Sequence, residues 1–132
     1  MRRIDEFVAK RKRIAKQYDQ SFASTGLPVI PPWQHPNGSS SYHLYPIRLR
    51  LTDIRKTQRQ VYEALRAAEI LVNLHYIPVY RQPYFEGLGF KQGYCREAES
   101  YFAETVSLPI YPGLNESQQV FVMSQVEKAI RA

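Results

Sequence analysis

Ile4, Phe7, Val8, Ile14, Tyr18 and Phe22 recur at mostly helical spacing, which predicts an amphipathic helix from about Ile4 to Phe22. Thr25-Gly26-Leu27-Pro28 stops it, because glycine permits a left-handed turn and proline cannot continue a helix. The connector that follows contains Pro31, Pro32, Pro36 and Asn37-Gly38 and is predicted as loop through Ser41. From Tyr42 to Leu51 the odd positions Tyr45, Ile47, Leu49 and Leu51 are apolar, while Arg48 and Arg50 point the other way. This period of two predicts a half-buried strand. Pro46 has no N–H to give to a ladder, so the strand is expected at an edge or at a bulge.

Thr57-x-x-Gln60 has the form of a capping box, and Val61, Tyr62, Leu65 and Ala68 supply the stripe of a second helix ending near Glu69. Ile70 to Tyr76 is rich in β-branched and apolar residues and predicts a second strand, closed by Pro78. The stretch from Pro78 to Cys95, broken by Pro83, Gly87, Gly89 and Gly93, is expected to be loop. Arg96 to Thr105 predicts a short helix, Val106 to Ile110 a short strand, and Asn115 a cap for a final helix to Ile130. Helices and strands in this alternation predict an α+β fold, a small antiparallel or mixed sheet with helices packed on one face.

At 132 residues the chain suits one domain. With 44% hydrophobic and 23% charged residues it departs from both disordered and fibrous composition. No apolar run approaches the roughly 20 residues that span a bilayer, and Met1-Arg2-Arg3 leads into Asp5 and Glu6 rather than an apolar signal core. No membrane partner is expected, and the lone Cys95 fits a reducing cytoplasm. Of the net charge of +6, most comes from Arg2, Arg3, Lys10, Arg11, Lys12, Arg13 and Lys16 on the polar side of the first helix. A solvated helix face is the ordinary explanation. The alternative is a stand-alone binding module whose basic helix contacts RNA or another polyanion, although no base-reading motif accompanies it.

The densest chemistry is His75-Tyr76-Ile77-Pro78-Val79-Tyr80-Arg81-Gln82-Pro83-Tyr84-Phe85, where a strand gives way to a loop. Imidazole, phenols and a guanidinium together suit hydrogen bonding to, and stacking on, a polar ring or nucleotide. The competing reading makes Tyr76, Tyr84 and Phe85 core aromatics and His75 a satisfied strand-end histidine. His35 and His43 have no second ligand at metal spacing, so no metal is expected. Glycine-rich phosphate loops and the Gly-x-Ser-x-Gly elbow are missing from the sequence. Lys10, Lys12, Lys16, Lys56, Lys91 and Lys128 fall mostly on polar helix faces, where nothing would lower a lysine pKa, so no catalytic or cofactor-binding residue is assigned.

Ser41-Tyr42-His43-Leu44-Tyr45-Pro46-Ile47-Arg48-Leu49, Leu65 to Ile70, Val72-Asn73-Leu74-His75-Tyr76-Ile77-Pro78-Val79 and Ser107 to Leu114 closely resemble the C-terminal part of the DegT/StrS sugar aminotransferases. Gln82-Pro83-Tyr84-Phe85 and Ala98-Glu99-Ser100-Tyr101 are most similar to the branch that forms UDP-4-amino-4,6-dideoxy-N-acetyl-β-L-altrosamine for pseudaminic acid synthesis. The resemblance implies the C-terminal small domain of a fold type I aminotransferase, spanning residues 1–132, with the large domain that holds pyridoxal phosphate and its lysine absent. It further implies a homodimeric parent enzyme that moves an amino group from glutamate to a 4-keto UDP-sugar, and a fragment inactive alone. An apolar face that the large domain would cover should then stand exposed. His75, Tyr76, Tyr80, Arg81 and His43 become candidates to line the sugar-nucleotide pocket. Tyr80 stands where relatives often have histidine, and Glu69 where they often have a helix-ending glycine.

Overall fold

The computed structural model describes residues 3–131. The first helix, α1, spans Ile4–Thr25, one turn beyond its predicted end, and Gly26 closes it at φ 60°. Four more helices follow: α2 (Gln58–Ala67), α3 (Pro83–Gly87), α4 (Arg96–Glu104) and α5 (Glu116–Arg131). The described strands are β1 (Val29–Ile30), β2 (Tyr45–Leu49), β3 (Asn73–Leu74) and β4 (Thr105–Leu108). They form an antiparallel sheet in the order β1-β2-β4-β3.

Alternation in β2 sends Tyr45, Ile47 and Leu49 to one face, opposite Leu108 and Val106 of β4. That face meets the apolar stripes of α1, α2 and α5 in one core, among them Tyr18, Phe22, Val61, Leu65, Val126 and Ile130. The α+β class with a small antiparallel sheet is therefore as expected. Buried and part-buried polar ties add to this apolar packing. Gln119 Nε2 donates to the Ile14 carbonyl at 2.7 Å, joining α5 to α1. Gln58 Nε2 donates to the carbonyls of Phe102 and Thr105 at 2.8 and 2.7 Å, fixing α2 to the junction of α4 and β4. Helix α4 itself adds no buried residue to the core and is held from the sheet's other face by the Arg48–Glu104 ion pair.

The strands differ from expectation in ways the backbone explains. β2 is an interior strand and carries no bulge in its pairing, contrary to the prediction from Pro46. The Arg50 N–H donates to Pro28 O beside β1, so by alternation the nitrogen of Pro46 also faces the β1 side. β1 pairs no further than Arg48, and Pro46 costs the ladder nothing. β1 itself lies inside the proline-rich connector expected to be loop. β3 is two residues long because the Ile70 N–H returns to Leu65 O and the Val72 N–H turns onto Ile70 O, although both side chains are buried. Within the expected loop after Pro78 lie a single 3-10 turn at Val79–Arg81 and α3.

Candidate functional site

The register that pairs Asn73 with Ser107 carries the chain past β3 so that His75 arrives beside β4. Its Nε2 lies 3.0 Å from Ser107 Oγ, and its ring meets Tyr101 of α4 edge-on at 5.2 Å. Burial lowers the imidazole pKa from its ordinary value and so favours the neutral ring. Tyr76, next in the chain, is 93% exposed, and Tyr84 is 73% exposed, so neither is the core aromatic of the competing reading. Of that reading the structure retains the satisfied histidine and, in part, Phe85, which is half-buried against Tyr84 and Phe90 but lies outside the core.

Beyond Pro78, which is buried, the 3-10 turn presents Tyr80 and Arg81. The Tyr80 hydroxyl donates to Glu99 Oε1 at 2.7 Å, and the same oxygen accepts the Gly93 N–H at 2.7 Å. One carboxylate on α4 thus ties both ends of the aromatic loop. The Gly93 N–H, the Tyr80 O–H and the nearby Arg81 charge together hold the Glu99 carboxyl below the usual carboxylate range. Arg81 is half-buried, and its Nε is enclosed without a hydrogen-bond partner. Loop rings continue the packing, with Tyr80 on Tyr94 at 5.4 Å and Tyr94 on Phe90 at 4.9 Å.

Of the candidates, then, His75, Tyr76, Tyr80 and Arg81 share one stretch between β3 and α3. His43 sits exposed ahead of β2, outside these hydrogen bonds. Sequence reasoning missed Glu99, Ser107 and Tyr101 as the residues that position the others. Ser107 was signalled by the alternation Val106-Ser107-Leu108, which turns it away from the core, but nothing local shows that Glu99 reaches back to Tyr80.

The six lysines do not suit a covalently held pyridoxal phosphate. Lys10 pairs with Glu6 at 2.7 Å, Lys12 donates to Ser39 at 2.6 Å, Lys56 is half-exposed, and Lys16, Lys91 and Lys128 are exposed. Among the described residues no group of three metal-ligating side chains lies together, and no helix is long and apolar enough to cross a membrane.

Residues 1–127 match the family model of the DegT/DnrJ/EryC1/StrS aminotransferase family. The chain belongs to this family. Among the relatives of this aminotransferase-family chain is the spore coat polysaccharide biosynthesis protein SpsC of Bacillus subtilis, 28% identical over 99% of this chain and 34% of SpsC. The UDP-4-amino-4,6-dideoxy-N-acetyl-beta-L-altrosamine transaminase of Helicobacter pylori is 32% identical over 80% of this chain and 28% of that enzyme. The crystal structure of S. venezuelae DesV in complex with a ketimine intermediate superposes with a TM-score of 0.85 at 29% identity, over 98% of this chain and 34% of DesV. The chain thus spans about a third of the length of these relatives.

Proposed function

We propose that this chain is the C-terminal small domain of a pyridoxal-phosphate-dependent aminotransferase acting on a 4-keto sugar nucleotide. The observation that carries this reading is the family match across residues 1–127 in a chain about a third as long as its relatives. The cofactor and its lysine belong to a large domain outside these residues, in keeping with lysines that offer no enclosed site. An exposed apolar surface suits such a covering domain. Leu71 (71% exposed), Phe121 and Tyr111 border a groove of about 380 Å³ that also includes Leu114 and Val122. In this reading the parent enzyme is a cytoplasmic homodimer that aminates a UDP-linked 4-keto amino sugar from glutamate; the UDP-linked sugar is suggested by relatives named as UDP-4-amino-4,6-dideoxy-N-acetyl-beta-L-altrosamine transaminases.

In this reading His75, Tyr76, Tyr80 and Arg81 line the sugar-nucleotide side of the site, with Arg81 placed to meet a diphosphate. A guanidinium can pair bidentately with a diphosphate. Steady-state kinetics of the longer protein, with sugar nucleotide varied at fixed glutamate, test the assignment. Arg81→Ala should lower kcat/KM for the sugar nucleotide by about ten- to hundredfold, leave the half-reaction with glutamate near normal, and be partly rescued by lysine. An unchanged kcat/KM would remove Arg81 from the site. The 132-residue chain incubated with pyridoxal phosphate and borohydride should give no stoichiometric adduct at a single lysine.

A further inference from the structure

On the sheet face away from the core, a cleft of about 360 Å³ opens beside the His75 cluster. Pro31, Pro32, Trp33, Pro46, Arg48 and Tyr101 line it. Its volume suits a nucleoside-sized ligand. The chemistry of the walls narrows the class. Three proline rings and two aromatic rings give flat apolar surfaces against which a planar ring packs. The Trp33 indole is 76% exposed, although it is the largest ring in the chain.

Arg48 supplies the polar recognition. Its Nε and Nη2 donate to Glu104 Oε2 at 3.0 and 2.8 Å, which neutralises the guanidinium and holds it near the Tyr101 ring, 6.0 Å from the centroid. Nη1 keeps its donors. A neutralised guanidinium offers little to a free anion but still suits the carbonyl oxygens of a heterocycle. Tyr101 also joins the cleft to the candidate substrate residues, because His75 packs on its edge. A ligand lying in the cleft can therefore extend toward His75.

We propose that this cleft is the nucleobase subsite, taking a pyrimidine ring against Trp33 and Tyr101 with its carbonyl oxygens toward Arg48. The assignment rests on the sugar-nucleotide reading above and adds to it the place and chemistry of base recognition.

Trp33 is the sole tryptophan, so its indole N–H gives one resolved signal in a ¹H–¹⁵N spectrum of the chain. Uridine 5′-monophosphate should shift that signal saturably, and ribose 5-phosphate should not. Tyr101→Leu, which keeps apolar bulk but removes the aromatic face, should weaken the response by about tenfold. Arg48→Gln should weaken it as well, while Tyr84→Ala, in α3 and outside the cleft lining, should leave it unchanged. No saturable shift, an equal shift with ribose 5-phosphate, or wild-type binding by Tyr101→Leu would each overturn the proposal. The titration needs neither cofactor nor turnover. A positive result would survive failure of the aminotransferase reading, whereas a negative one beside intact transfer activity in the longer protein would remove the subsite alone.

Discussion

Glu69 carries a local conflict between backbone and side chain. Its N–H donates to Arg66 O, and the Ile70 N–H donates to Leu65 O, the pair of bonds that closes a helix in the Schellman arrangement. That arrangement needs a left-handed residue, and Glu69 provides it at φ 61° with a Cβ that glycine would not have. Glu69→Gly should therefore stabilise the chain by about 1 kcal/mol, seen as a higher urea midpoint at unchanged slope. An unchanged or lower midpoint would show that the surrounding contacts already absorb the strain. The missing glycine was legible only through the family resemblance, in which a helix-ending glycine often stands at position 69. The candidate site was less legible at this scale. His75, Tyr76, Tyr80 and Arg81 lie close together in one stretch of sequence and could be found by composition, whereas Glu99 and Ser107 join them only through tertiary contacts 19 and 32 residues apart in the chain.

The helices declared themselves through their ends as much as their stripes. Thr57 Oγ1 accepts the Gln60 N–H at 3.2 Å, and Gln60 Oε1 accepts the Thr57 N–H at 2.9 Å, the reciprocal box that the spacing Thr-x-x-Gln predicts. Asn115 caps α5 in the same way, its Oδ1 accepting the Gln118 N–H at 2.9 Å. Thr57→Ala should cost about 1 kcal/mol, measured by urea unfolding, with Gln60→Ala costing less because the threonine acceptor remains. Strands follow a different logic. Val29-Ile30 is too short to show a period, and only its pairing with Leu49 and Arg48 makes it a strand. The run from Ile70 to Tyr76 has strand composition, yet the turn out of α2 takes the backbone donors of Ile70 and Val72, leaving two residues for the sheet. Local propensity is a weak guide wherever a partner, or a competing turn, decides the hydrogen bonds.

At the scale of the molecule, the centre of the core is not purely apolar. Tyr18 of α1 and Tyr45 of β2 are fully buried, with ring centroids 4.9 Å apart. The Tyr18 hydroxyl donates to Pro109 O at 3.0 Å, and the Tyr45 hydroxyl donates to the Asp19 carboxylate, so the two phenols link helix, sheet and the exit from β4. Desolvation raises both pKa values far above the ordinary phenol range, and Asp19 adds to the shift at Tyr45. A group raised on folding stabilises fully below its unfolded pKa and loses that contribution as pH rises toward the folded value. The unfolded chain therefore sheds phenol protons above about pH 10 that the folded chain keeps. Stability should fall there by about 1.4 kcal/mol per pH unit for each of the two groups. Urea midpoints taken between about pH 9 and pH 11 should show the decline, and Tyr18→Phe should reduce its slope by one group's share. A slope identical in Tyr18→Phe and the parent chain would mean that surface tyrosines and lysines, rather than the paired phenols at the core, set the alkaline limit.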